Sequence, residues 1–357
     1  MDRTIKSFLA CGALAATLII AGCGDSTSGP DTSTADARPV LQNISTNVIL
    51  ATYTKLDATA EHLLEHVIEL AEDPNDDILD EAREAWREAR TPWEQSEGFL
   101  FGPVDTKGID PSIDSWPVNK ADLDAVLGSD ATLTKEYIDG LEGTLKGFHT
   151  IEYLLFGTGN NKPVASFTAR ELEYLVGVTR SFKGATAQLV SSWAPTGENF
   201  AAQLSNAGNQ GSVYTSQKDA LQELVEGMIG ICDEVGNGKI GDPFSQQDRT
   251  LEESQFSDNS NNDFQDNIRS VRNVYRGEYN GTSGAGIGTL VAAKNPALDT
   301  RVRAEIDAAI ASIGEMTPSF GQAIFNNKGK VEAAQDAILK LKTTLEGDVM
   351  NAVLEGR

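Results

Sequence analysis

Apolar residues recur at helical spacing through most of the chain. Within 40–72, Leu56, Ala60, Leu63, Leu64, Val67 and Ala71 fall three or four residues apart and draw one apolar stripe along a helix. Asp73-Pro74-Asn75-Asp76 ends it and offers an N-cap to a second helix over 78–101, inside which Pro92 predicts a kink or a fresh start. Further helices are expected at 134–140, from 142 through the segment around His149, and at 167–193, 213–235, 262–278, 297–314 and 330–354. Gly, Pro and Asn punctuation marks the connections, breaking the chain at 236–243 and leaving a flexible link at 281–288. Strand-type alternation is scarce. The pattern predicts an all-α protein of two helical-bundle halves, 38–200 and 201–357, joined between Ala194 and Gly211. A faint repetition, in which 86–98 and 271–281 both end an Arg-bearing helix in aromatic, Glu and Gly residues, is compatible with an old duplication.

The first residues depart from this pattern. Arg3 and Lys6 precede an apolar run at 8–21 too short to favour a spanning helix, and Ile20-Ala21-Gly22-Cys23 fits the bacterial lipobox. Residues 1–22 therefore read as a lipoprotein signal peptide, Cys23 as the lipidated first residue of the mature chain, and 23–37 as a Ser/Thr/Gly-rich tether. The expected address is the bacterial cell envelope, lipid-anchored at the outer membrane and facing the periplasm. Of the 3 cysteines, Cys11 leaves with the leader and Cys23 carries lipid. Cys232 then stands alone in an apolar run and reads as a buried small hydrophobe. A formal charge of −24 repels phosphate backbones, which excludes nucleic acid as a partner, and attracts cations. Acidity that merely keeps an exported protein soluble is the plain alternative.

Candidate chemistry centres on His149, one of only 3 histidines. In KGFHTIEYLLFG, His149 and Glu152 share a helix face, so an imidazole nitrogen and a carboxylate oxygen can meet on one cation, a donor pair that suits zinc or iron better than calcium or magnesium. Two donors do not make a site, and other segments must supply the rest. Glu94 and Glu97 also share a face; Glu97 lies between aromatic residues that want burial, so it needs a partner cation or hydrogen-bond donors. Asp114, in IDSWP, either shapes a pocket wall or closes a turn. Gly143 and Gly147, four apart, would thin one side of the His149 helix. His62-Leu-Leu-Glu65-His66 matches the inverted zinc-peptidase pattern, and His66 with Glu69 repeats the His-x-x-Glu spacing. These residues lie opposite the apolar stripe, where a solvated surface is the default.

In this order the blocks resemble the imelysin family of exported bacterial proteins. The hallmark G-x-H-x-x-E stands here as Gly147-Phe-His149-Thr-Ile-Glu152, and WEQSEGFLFGP, DSWP, ESQFSDNSNNDFQDNI and NVYRGEY extend the likeness over nearly the whole mature chain. The resemblance implies two four-helix-bundle-like halves with the site between them. The family takes its name from a reported insulin-cleaving protease, and other members are linked to iron regulation or uptake. Carried onto this chain, it implies His149 and Glu152 as metal ligands, Glu97 completing an oxygen-rich set and Asp114 orienting the imidazole through its second nitrogen. Three functions follow. The first is a lipid-anchored metal-binding protein, with iron favoured over zinc and an iron-uptake protein as partner. The second is a metallopeptidase, whose formal needs His62, His66 and Glu65 would meet. The third is a metal-free binding module in which His149 is a buried, hydrogen-bonded core residue.

Overall fold

The computed structural model of the chain describes residues 36–354. The leader, Cys23 and the tether up to residue 35 lie outside the described residues. Ala37 is already docked, buried and donating its backbone N–H to Gln217 Oε1 at 2.8 Å, so the fold begins slightly ahead of position 38.

Among the described residues, strand is confined to Glu278–Tyr279 paired antiparallel with Thr282–Ser283; helices make up the rest of the regular structure. Helix α1 (Ala51–Glu72) continues from Arg38–Asn43 through a π-helical segment, Ile44–Leu50. Its stripe of Leu56, Ala60, Leu63, Val67 and Leu70 is fully buried. Helix α2 (Asp76–Glu94) opens at Asn75, whose side chain accepts the Ile78 N–H at 3.0 Å, with Asp76 and Asp77 at the positive end of the helix dipole. Pro92 does not break α2, because it stands in the last turn, and the chain then passes into a 3-10 turn at Glu97–Phe99. The remaining principal helices are α3 (Gly147–Phe156), α4 (Ala169–Trp193), α5 (Gln217–Asp233), α6 (Ser260–Arg276), α7 (Pro296–Gly314) and α8 (Lys328–Thr344). Capping boxes start α4 (Thr168 with Glu171) and α5 (Ser216 with Asp219), and Gly277, in the left-handed region at φ 70°, stops α6.

Helix α1 packs along α2 and α4, and the short α3 lies against α2 and α4. Later in the chain α6 packs on α5 and α7, α8 packs on the same two, and α2 meets α6. One hydrophobic cluster runs from Ala37 to Val349. Cys232 is fully buried within it, and burial raises its thiol pKa, which leaves it inert.

Three segments differ from their sequence patterns, and two of them build the site. The His149 helix does not run from 142: a 3-10 turn at Gly143–Leu145 gives way to extended Lys146, and α3 starts at Gly147. Gly143 and Gly147 therefore do not share a helix. The 236–243 segment does not end α5 at its glycines. The chain winds on as a π-helical turn, Glu234–Lys239, in which Gly236 packs so closely that a Cβ there would lie 2.7 Å from Leu339 of α8. Such turns shift the register of a helix, and this one delivers Lys239 to the interior. The 281–288 link carries the second strand and the start of a helix, Ile287–Lys294.

Candidate functional site

The site depends first on Gly147. At φ 76° it begins α3 in a conformation that L side chains avoid, and a Cβ there would lie 2.3 Å from the Ile113 carbonyl oxygen. The missing side chain lets the 110–114 turn lie against the start of α3, which brings Asp114 onto His149. Gly147→Ala combines backbone strain with this overlap, and the expected loss is about 2–4 kcal/mol of folding stability, measured by urea denaturation. A loss under about 0.5 kcal/mol would show that the turn moves aside freely.

His149 is held between two carboxylates. Its Nδ1 lies 3.1 Å from Glu152 Oε2, in hydrogen-bond geometry. Glu152 is itself fixed, since its Oε1 accepts the backbone N–H groups of Phe256 (3.0 Å) and Ser257 (2.8 Å) and the Ser257 hydroxyl (2.7 Å). A carboxylate only accepts, so the proton is on His149 Nδ1. On the other side, Nε2 lies 2.8 Å from Asp114 Oδ1, but off the line of an N–H···O bond, and neither atom has a hydrogen-bond partner.

Around this pair lies a buried ionic cluster. Arg90, from α2, is wholly buried and touches Glu94, Asp114 Oδ2 (2.9 Å), Glu253 Oε1 (3.2 Å) and Asp263 Oδ1 (3.4 Å). Lys239 Nζ meets Glu97 Oε2 at 2.6 Å and Glu253 Oε1 at 2.9 Å. Asn267, from α6, donates to Glu94 Oε2 (2.6 Å) and Glu97 Oε2 (3.0 Å), and the Trp93 indole donates to Asp114 Oδ2 at 2.6 Å. Two overlapping sets of donors lie within 4.8 Å of one another: Asp114, His149 and Glu253, and Glu94, Glu97, Asp114 and Glu253.

Six carboxylates, Glu94, Glu97, Asp114, Glu152, Glu253 and Asp263, thus face two permanent cations in an interior that screens poorly. Protons make up part of the deficit. Burial lifts Glu94 and Glu97 well above the carboxylate range despite Arg90 and Lys239, and it lifts Asp263 to about 6 against the pull of Arg90. Asp114 goes the other way: burial would raise it, but Arg90 and then His149 hold it well below its usual range. For His149, burial opposes the charged ring, yet Asp114 and then Glu152 prevail and push it up to about 10.

These shifts set the contribution of the cluster to the pH response of the metal-free protein. The contribution of His149 is full below its unfolded pKa near 6.5 and is lost as pH rises towards about 10. Asp263, Glu94 and Glu97 bind their protons more tightly when folded, so they too favour folding less as pH rises above about 4, and Asp114 opposes this trend only in acid, below about pH 4. The thermal midpoint is therefore expected to fall by several degrees between about pH 5.5 and about pH 9. A midpoint that rises over this range would contradict the arrangement.

The model of the family described as Imelysin matches residues 49–346. The chain belongs to the imelysin family. Iron-regulated protein A of Synechococcus elongatus is 28% identical to it over 318 residues, 88% of this chain and 86% of that protein. A solved structure from Parabacteroides distasonis, designated an iron-regulated protein A precursor, has a TM-score of 0.82 at 27% identity, covering 91% of this chain and 97% of its own. An imelysin-like protein from Psychrobacter arcticum shares the fold, with a TM-score of 0.74 at 12% identity over 90% of this chain and 97% of its own.

In this imelysin-family chain the structure brings His149, Glu152, Asp114 and Glu97 into one cluster. Both oxygens of Glu152 are engaged, one on His149 Nδ1 and one on the Phe256–Ser257 backbone, so Glu152 orients the ring. Asp114 Oδ1 faces the other ring nitrogen, His149 Nε2, at 2.8 Å. Glu97 finds the cation its aromatic setting demands in Lys239, and it reaches His149 only by way of Asp114 and Glu253. Sequence reasoning passed over Arg90, Lys239, Glu253, Asp263 and Asn267. The signal that could have found them is polarity at helical core positions: Arg90 is one turn from both Trp86 and Glu94, and Asp263 and Asn267 follow the same spacing on α6. His62, Glu65 and His66 stand apart, on the polar face of α1.

Proposed function

We propose that this protein binds one transition-metal ion, iron foremost, in the buried cluster, with His149 Nε2, Asp114 Oδ1 and a Glu253 oxygen as donors. Glu152 holds the imidazole in register from outside the donor set, as second partners of metal-bound histidines do. Glu94 and Glu97 are the next oxygens within reach. The observation that carries this reading is the pair of buried, unpartnered atoms, His149 Nε2 and Asp114 Oδ1, 2.8 Å apart. A second proton on His149 relieves that contact in the metal-free state, and a metal ion would replace it while offsetting the surplus of carboxylates. One imidazole among carboxylate oxygens suits iron or zinc. The iron-regulated names of the relatives favour iron.

The site accommodates an ion more readily than a polypeptide. His149, Glu152, Asp114 and Glu253 have side chains 9% exposed or less, and the open groove bordered by Ala71, Leu133, Glu173 and Arg180 contains none of them. Among the described residues no helix is long and apolar enough to cross a membrane. Anchorage through lipid on Cys23, a place on the periplasmic side of the outer membrane, and delivery of the ion to an uptake protein complete the proposal. They rest on the lipobox and on the acidic charge of the chain.

The test is anaerobic titration of the metal-depleted soluble form, beginning after Cys23, with iron(II) and separately with zinc(II), followed by calorimetry and metal analysis. One equivalent of iron held in the interior is the expected result. If neither ion binds there, the proposal fails.

A further inference from the structure

A second group of ionisable side chains lies on the hairpin of α1 and α2 and shares no residue with the buried cluster. His62 and His66 are one turn apart on α1, and Glu81 and Glu88 face them from α2. His62 Nδ1 is hydrogen-bonded to Glu88 Oε2 at 3.2 Å. The two Nε2 atoms are hydrogen-bonded to each other at 3.0 Å, with the rings inclined at 76°. The remaining ring nitrogen, His66 Nδ1, faces Glu69 Oε2 at 3.2 Å and Glu81 Oε2 at 3.6 Å, is itself buried, and has no hydrogen-bond partner.

Proton placement follows from donor and acceptor rules. Glu88 accepts, so His62 carries its proton on Nδ1 and presents a lone pair at Nε2. The contact between the rings then requires the proton of His66 on Nε2. A neutral His66 is left with a bare Nδ1 between two carboxylates, three acceptors converging with no donor among them. Water can donate to the two exposed carboxylates, but a cation where they converge on the buried Nδ1 satisfies all three at once.

We propose that His66 Nδ1, Glu69 and Glu81 form a surface site for a first-row divalent metal ion, with Glu88 and His62 setting the tautomer that makes Nδ1 a ligand. The relay from carboxylate through histidine to the liganding ring is the outer-shell pattern that fixes metal-bound imidazoles. One nitrogen and two carboxylate oxygens suit zinc and leave a position for water. Because the ligands come from both helices, the ion ties α1 to α2. The competing cation is a second proton on His66, and the test separates the two.

The metal-free protein and its His66→Ala, Glu81→Gln, His62→Gln and Glu84→Gln variants are titrated with zinc(II) at about pH 7.5, a pH at which an ordinary imidazole is neutral. Wild type is expected to take up one zinc more than His66→Ala. Glu81→Gln should weaken that equivalent at least tenfold and His62→Gln about tenfold or more, as loss of an outer-shell partner does. Glu84, on the same helix and paired with Arg87 at 3.5 Å, controls for the change of charge, and its variant should bind as wild type does. Nitrogen NMR should show zinc shifting His66 Nδ1 and leaving Nε2 protonated. His149→Ala should keep the additional zinc, so failure of the interior site is distinguishable from failure of this one. Equal zinc stoichiometry in wild type and His66→Ala, or a His66 signal that moves with pH alone, overturns the proposal.

Discussion

Arg90→Met is expected to lower folding stability by about 3–5 kcal/mol, the range for removing one partner of a buried ion pair and leaving the other charged. Arg90 is completely buried, and among the described residues it is the one group that touches Glu94, Asp114, Glu253 and Asp263 together. Its guanidinium also lies over the Phe148 ring, 4.9 Å from the centroid, so methionine is chosen to keep the stem and most of that packing. The loss is a large part of the roughly 5–15 kcal/mol that usually holds a domain together, so the variant should unfold at a much lower urea concentration. Adding Asp114→Asn removes the carboxylate that Arg90 holds ionised and should recover part of the loss; the double-mutant cycle measures how much. A loss below about 1 kcal/mol would mean that protons, and not Arg90, already neutralise these carboxylates.

Asp114→Asn and His149→Gln should each weaken iron binding by more than about 100-fold, whereas Glu152→Gln should weaken it by about 10–100-fold, the usual cost of losing an outer-shell partner. The order is the informative part. If Glu152 supplied a metal oxygen, as the His-x-x-Glu spacing alone suggests, its replacement would be as damaging as that of His149. The proposed donor set takes Asp114 in place of Glu152, because Glu152 is hydrogen-bonded on both oxygens while Asp114 Oδ1 has no hydrogen bond. Asp114→Asn carries a second readout. It removes the carboxylate that sustains the imidazolium, so the His149 pKa should drop from about 10 in the metal-free protein, which NMR titration measures. Should Glu152→Gln abolish binding while Asp114→Asn leaves it intact, the two roles are reversed.

The helices were legible because their signals are local. The apolar stripe of α1 and the Asn75 cap each act within a few positions of the chain. Half of the site was legible too: His149 and Glu152 are spaced to meet on one helix, and Glu97 announces a buried partner by its aromatic neighbours. What the sequence hid is long-range. Lys239 reaches Glu97 across 142 positions only because a π-helical turn continues where glycines suggested a break. Arg90 reads as one more charged residue in a charged helix until α6 brings Asp263 against it, 173 positions away. The hydrogen bonds that engage Glu152 depend on a loop, 252–258, whose Phe256 and Ser257 backbone amides donate to it. That loop is polar in sequence, yet Glu252, Glu253, Ser254 and Ser257 are buried.

The central claim is tested most directly by diffraction at the iron absorption edge from crystals of the metal-depleted protein soaked anaerobically in iron(II). An anomalous peak about 2.0–2.2 Å from His149 Nε2 and an Asp114 oxygen, with Glu152 still on Nδ1, is the result this account predicts. An interior without such a peak in crystals exposed to excess iron, or a peak bonded to Glu152 in place of Asp114, would contradict it.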